Sequence, residues 1–595
     1  MDYTPVRSPA VGLTSLCLSL VLAGCYNPNG TLPEPPKARV AVDHSTADVD
    51  AVVEQRFLQL ASPASTFNGP VPAACDQIQY YQFRLRSAPE PDAVLVLMPG
   101  VYSGANVFSY LAKELIYAAH TRTDAAPLNL EVLAVDRRDN CIEDLTGLNA
   151  AEQARDTQVA LDYYFNGVPL DGQLFDGFKS SDDVPYLSEM GLAQVMEDVH
   201  AVLTTHVPDP LQRQQKAFIG GHSMGASLAW VYAGWDFDGD ETTLADAGYQ
   251  NVAGVIRLDS RYTPADSQEA APLPATENDA VIADYLAKVE RLRDGRDDRV
   301  AALPGLSGET MSLLEIQAME AHWHPDDEAL LLRNLEQGAD TRLLLTAVHS
   351  RDIFTVLRGT PTFNDFRYTN RAALGVILDD NFMPVPIIQA SMGHLSAGPV
   401  VSKRFPADAL SLVSGLLGDF ARLLGDGKNL FIASDAGPNL QSLGQGPLYD
   451  WADFDQVGDA SDPDYTGANG KTLLTTTRNE VSNLQDVARV LYEGETNFTE
   501  WYMSQRLMLD QQFIRDGKRV PGLPFLHEQE SFALPLIEIG AEQFSGYPTF
   551  ATLGEAVVAE GHNHLDVLLQ SANTSAYRPN DVIPPLLQFV EATVR

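Results

Sequence analysis

Positive charge is scarce in this chain. Forty Lys and Arg face 80 Asp and Glu, for a net charge of −40 over 595 residues. Nucleic acid needs cationic side chains to displace its counterions, so it is excluded as a partner. The surplus of acid reads as a soluble surface suited to a salty or extracellular setting. The apolar run at the N-terminus, Val11 to Leu22, is too short to span a bilayer comfortably. Internal repeats are absent from the pattern, and cysteine is limited to four residues. Metal signatures are also missing. Asp236-Phe-Asp-Gly-Asp-Glu241 alternates acids as a calcium loop does, but its glycine is misplaced and no Glu closes the twelfth position, so it reads as a solvated turn. His322-Trp-His-Pro-Asp-Asp327 is too unspecific to define a metal site. What remains is 45% apolar and 20% charged residues, the composition of a globular protein. The length allows one large domain with a substantial insertion, or two domains.

The apolar run ends in Leu22-Ala23-Gly24-Cys25, which resembles the lipobox of bacterial lipoproteins. That resemblance implies a signal peptide over 1–24 and a lipid on Cys25. Tyr26 follows the cysteine in place of the Asp that retains lipoproteins at the inner membrane, which implies an outer-membrane address outside the cytoplasm. The n-region departs from the pattern in carrying Asp2 beside Arg7. Pro-rich sequence from Asn27 to Pro36 reads as a tether, and 25–75 as tether and N-terminal extension, with ordered structure beginning between Val52 and Asp76. Cys75 and Cys141 flank predicted strands and are candidates for a bridge in an oxidising compartment.

Strands are expected at Ile78–Leu85, Ala93–Met98, Leu130–Val135, the stretch before Ser223, Val252–Leu258 and Ala533–Ile539. Helices are expected at Asn106–Ala119, Met190–Thr205 and Ala226–Trp235. Apolar strands alternating with helices imply a doubly wound α/β sheet. From Tyr262 to about Phe525 the alternation stops, giving helices, acidic loops and scattered strand signals. Asp435 to Lys471 reads there as an exposed loop.

Lys216-Ala-Phe-Ile-Gly-Gly-His-Ser-Met-Gly-Ala-Ser-Leu-Ala-Trp230 is the most informative segment. A short apolar strand, a sharp turn and a helix would push the Ser223 hydroxyl into the open, with glycines admitting neighbouring backbone. Near the C-terminus stands Asn563-His564-Leu565-Asp566. Together these resemble an α/β-hydrolase, over roughly Ile78–Ser260 and Phe532–Arg595. The resemblance implies a mostly parallel core sheet over 76–261 and 526–595, with a large, mainly helical cap at 262–525 inserted after the sixth strand. It also implies a nucleophile, acid and histidine in that order. Ser223 is the nucleophile. His564 matches the Asn-His-Leu-Asp of acid-lipase-like relatives, with His562 as the rival base. Glu542 falls where the acid follows the seventh strand, and Asp259, after the sixth, is the alternative. Oxyanion donors are expected from the backbone of Met224 and Val101, with Tyr102 as the alternative.

Those residues predict a serine hydrolase cleaving carboxylic esters through an acyl-enzyme, with no cofactor and no metal. A peptidase or amidase on the same scaffold is the nearest rival. A non-catalytic surface binding protein is the rival from another class. Trp501, Tyr502 and Met503 read either as cap core or as the wall of an acyl groove.

Overall fold

In the computed structural model, the described residues are 45–594 apart from 63–70, 261–274, 304, 406–429, 435–445, 458–474, 476–478, 516–517, 545–553 and 573–579. The signal sequence, Cys25 and most of the predicted tether lie outside them, as does most of the loop predicted over 435–471.

Eight strands form one sheet in the order β1-β2-β4-β3-β5-β6-β12-β13. They are β1 (Val53–Ala61), β2 (Gln77–Leu85), β3 (Ala93–Met98), β4 (Leu130–Val135), β5 (Ala217–His222), β6 (Gly254–Leu258), β12 (Leu536–Ala541) and β13 (Glu555–Ala559). From β4 to β13 every pairing is parallel, while β2 runs antiparallel to β1 and β4. The continuous apolar run of β3 is what a strand covered on both faces requires. Val94, Val96 and Met98 enter one buried cluster and Ala93, Leu95 and Leu97 the other. Helices α2 (Leu192–His206) and α3 (Met224–Gly234) cover the first face. Helices α1 (Ser109–Thr121) and α8 (Ile583–Val594) cover the second. Strand order and coverage define an α/β-hydrolase fold.

Between β6 and β12 the described chain adds no strand to this sheet. It forms helices, including α4 (Gly308–Trp323), α5 (Ala339–His349), α6 (Asn370–Leu378) and α7 (Leu484–Tyr492). Five short strands make two small sheets: β9 (Val400–Lys403) with β10 (Leu430–Ala433), and β7 (Arg367–Tyr368) with β11 (Leu448–Asp453) and β8 (Gly393–Ser396). Trp501, Tyr502 and Met503 are buried, with Trp501 packed against Tyr164 and Phe178 and Met503 in the cluster on the first face of the core sheet.

The segment 25–75, read as tether and extension, contains β1, which pairs with β2 over its whole length, Val53 to Leu85 through Ala61 to Gln77. Its half-buried edge position leaves only a weak alternation, which is why the sequence pattern passed over it. Cys75 and Cys141 are bonded, with Cα atoms 5.0 Å apart, and tie the turn before β2 to the turn after β4. No helix among the described residues is long and apolar enough to cross a membrane.

Candidate active site

The turn between β5 and α3 holds Ser223 at φ 56° and ψ −117°, a conformation that L-residues avoid at a cost of roughly 1–3 kcal/mol. Two features hold it there. Ser223 N–H donates to Leu258 O at 2.8 Å, pinning the turn to the end of β6. The helix then starts so close to β3 that a Cβ at Gly225 would stand 1.9 Å from Met98 O, and one at Gly221 would stand 2.4 Å from Gly225 C. Only glycine fits both places. The Ser223 side chain is half-buried at the mouth of this turn. It sits at the start of α3, where first-turn amides lack intrahelical acceptors and the dipole favours negative charge.

β6 ends one residue before Asp259, which also takes a left-handed conformation, φ 47°. Its N–H donates to Ile539 O at 2.7 Å. The carboxylate is wholly buried: Oδ1 accepts from Ala541 N–H at 2.8 Å, and Oδ2 lies 2.6 Å from His564 Nδ1. A carboxylate on Nδ1 places the ring proton there and leaves Nε2 as the basic lone pair.

Glu542 does not take this position, and the expectation that it supplies the acid is corrected. It is exposed, its N–H donates to Ala559 O, and its Oε2 accepts from Gly561 N–H at 2.7 Å. β12 ends at Ala541, and Glu542 stands in the turn beyond it, outside the buried strand. The rival base His562 is buried, with Nδ1 3.0 Å from the Glu560 carbonyl oxygen rather than on a carboxylate.

The loop carrying His564 is over-determined. Asp566 accepts from Asn563 N–H at 2.7 Å, Ser391 N–H at 2.9 Å and Ser482 Oγ at 2.6 Å. Asn563 Nδ2 donates to Ser391 Oγ at 2.6 Å, and Leu565 N–H donates to Gln389 O at 3.0 Å. Gln389-Ala-Ser-Met-Gly393, which echoes the turn at Ser223 in sequence, thus serves as the brace of the histidine loop. His222 Nε2 donates to His564 O at 2.9 Å, joining the loop to the residue before Ser223, and the two rings stand 4.3 Å apart. Burial, with His564 alongside, holds the His222 imidazole neutral, well below its ordinary range. Phe544 stacks on the His564 ring at 3.9 Å.

Opposite Ser223 runs the loop Pro99–Tyr102. A Cβ at Gly100 would lie 3.0 Å from Ser223 Cβ, so this backbone borders Ser223 directly. Arg137, at the end of β4, gathers its carbonyls: Nη1 donates to Pro99 O at 2.9 Å, and Nη2 donates to Gly100 O and Ser103 O, both at 2.7 Å. Arg137 is in turn paired with Glu500, Nε to Oε1 at 2.8 Å, both side chains being buried. Glu500 N–H donates to Tyr102 O at 2.9 Å, and Tyr102 sits at φ 52°. With the carbonyls turned toward the guanidinium, Val101 stands on the stretch that borders the serine, and Met224 begins α3 on its other side. Arg137 and Glu500 were not singled out from sequence, although Asp136-Arg-Arg-Asp139 ends a core strand, where α/β sites gather.

His222, Asp259 and His564 also lie close enough together to suggest a metal cluster. The short Asp259–His564 contact and the His222 bond to a carbonyl account for the arrangement without one.

No protein-family model and no curated protein sequence matches the chain. Among solved structures, it is similar to a lipase candidate from Sulfolobus solfataricus at 11% identity, over 91% of this chain and 94% of that one, with a TM-score of 0.37. An α/β-hydrolase fold protein from Nakamurella multipartita is 10% identical over 90% and 99%, with a TM-score of 0.29. The Pseudomonas aeruginosa protein PA1622 is 12% identical over 91% and 96%, with a TM-score of 0.24. At such distances the likeness concerns the fold alone. The α/β-hydrolase fold of this chain stands on the order of its strands.

Proposed function

We propose that the protein is a serine hydrolase cleaving carboxylic esters through an acyl-enzyme. The observation that carries this reading is the 2.6 Å contact between His564 Nδ1 and Asp259, beside a serine held at positive φ at the start of a helix. In this reading His564 Nε2 takes the proton from Ser223 as its oxygen attacks the carbonyl carbon, and returns it to the departing alkoxide. Asp259 holds the ring in the required tautomer and balances the imidazolium. The backbone amides of Met224 and Val101 receive the oxyanion, where fixed donors lower the barrier most. Water repeats the sequence to release the acid. The segment between β6 and β12 acts as a cap that screens the site from water.

Ser223→Ala and a fluorophosphonate probe test the reading. The wild-type chain is expected to be labelled and to hydrolyse p-nitrophenyl esters without cleaving peptides, and the variant to do neither. Labelling with peptide cleavage would favour the peptidase or amidase. An intact, unlabelled wild-type protein would make it a binding protein.

We further propose, on the lipobox-like sequence, that Cys25 carries a lipid and anchors the protein at the outer membrane. Metabolic labelling with radioactive palmitate is expected to mark the wild type and not Cys25→Ser, and equal labelling of both would refute the anchor.

A further inference from the structure

A cavity of about 830 Å³, its open mouth included, lies between the core and the segment connecting β6 to β12. At one side it is bordered by Val101 and Tyr102 of the loop facing Ser223, and by Leu565, next to His564. Its walls run along the intervening helices through Leu313, Leu344, Leu345 and Ile377. Among the described residues, no charged side chain lines it. Several polar lining groups spend their hydrogen bonds on the protein: Thr499 Oγ1 donates to Glu315 at 2.6 Å, Thr310 and Thr341 hydroxyls pair at 3.1 Å, and Ser103 Oγ donates to Val101 O at 3.2 Å.

We propose that this cavity receives the acyl chain of the ester, and that the substrate carries an unbranched apolar acyl chain. The assignment rests on the serine-hydrolase reading above. Three arguments lead to it. An uncharged, leucine-rich lining offers nothing to a polar acyl group and leaves its water poorly bonded, so hydrocarbon displaces that water with gain. The cavity meets the catalytic residues at the oxyanion loop and the histidine loop, so a carbonyl seated between them can send its chain inward. The alcohol must leave after the first half-reaction whereas the acyl group stays through both, which suits an enclosed space to the acyl side.

Hydrolysis of p-nitrophenyl esters from acetate to palmitate, kept below micellar concentrations and run on the wild type and on Leu345→Trp, tests the proposal. In the wild type, kcat/KM is expected to rise about two- to fourfold per methylene until the cavity is filled, then level or fall. Leu345→Trp fills the cavity away from the reacting atoms. It should cost decanoate at least about tenfold while leaving acetate within about twofold. If that variant does not fold by circular dichroism, Leu314→Trp, whose half-buried side chain also lines the cavity, replaces it. A flat chain-length profile that Ser223→Ala abolishes would overturn the acyl assignment and leave the hydrolase reading standing. Equal effects on acetate and decanoate in a folded variant would do the same. No hydrolysis at any length would overturn the hydrolase reading and this assignment together.

Discussion

Both oxygens of Asp259 are occupied, Oδ1 by Ala541 N–H and Oδ2 by His564 Nδ1. An amide in its place would present a donor to Nδ1 and drive the ring to the opposite tautomer, removing the base. Asp259→Asn is therefore expected to lower kcat by about three to four orders of magnitude with the fold intact. Glu542→Gln, at an exposed carboxylate bonded to one backbone amide, is expected to change kcat less than about twofold. Steady-state kinetics of the two variants separates the assignments, and a large loss in the Glu542 variant alone would reverse them. Ser223 and His564 were legible because each carries local sequence context. Which carboxylate meets His564 was not, because an Asp and a Glu at the ends of two adjacent strands are equivalent until the φ of 47° at Asp259 aims one of them.

At the scale of elements, the elbow and the facing loop have different supports. The elbow is built by contacts local in space to β3, β5 and β6, with glycines that the sequence displays. The loop Pro99–Tyr102 depends on Arg137, and Arg137 on Glu500, 363 residues away in the chain. This pair makes the intervening segment a support of the loop that faces Ser223. Glu500→Gln keeps the shape and weakens the hold, so it is expected to lower kcat roughly tenfold while KM for a short ester stays within about twofold, since a loosened oxyanion loop affects the transition state more than binding. Equal changes in kcat and KM, or none, would mean the pair only supports folding. Core strands β3, β4 and β5 and the helices beside them were legible because a fully buried strand reads as an unbroken apolar run. Strand β1 was not, because an edge strand with burial on only part of one face carries little periodic signal.

Across the whole molecule, an acidic chain has buried a number of its carboxyl groups. Burial raises Asp136 and Asp453 to about 7 and Glu315 to about 8. Such groups hold protons in the folded state that the unfolded chain releases above its ordinary carboxylate range near pH 4. Unfolding between about pH 5 and 8 thus sheds protons, and stability falls as pH rises through that window. Growing self-repulsion at a net charge of −40 acts in the same direction. Thermal melts are expected to give a Tm several degrees lower at pH 8.5 than at pH 5.5, and a flat or rising trend would contradict the assignment. Covalent closure adds a second term. The Cys75–Cys141 bridge spans 66 residues, and its replacement by Cys75→Ser with Cys141→Ser is expected to cost about 3–4 kcal/mol, read from denaturant unfolding.

By itself the amino-acid sequence determined the parallel core, the serine at its strand-to-helix turn, the histidine loop near the C-terminus and the long departure of the chain between β6 and β12. Each is written in contiguous residues, as an apolar run, a glycine-flanked turn or a short motif, because local backbone sterics and burial act over a few positions. Tertiary structure alone decided that Asp259 rather than Glu542 reaches the imidazole, that Arg137 and Glu500 hold the loop beside the serine, and that the intervening helices leave an apolar space against it. Those outcomes depend on the distance and direction between side chains far apart in the chain, which packing sets and which no local pattern encodes.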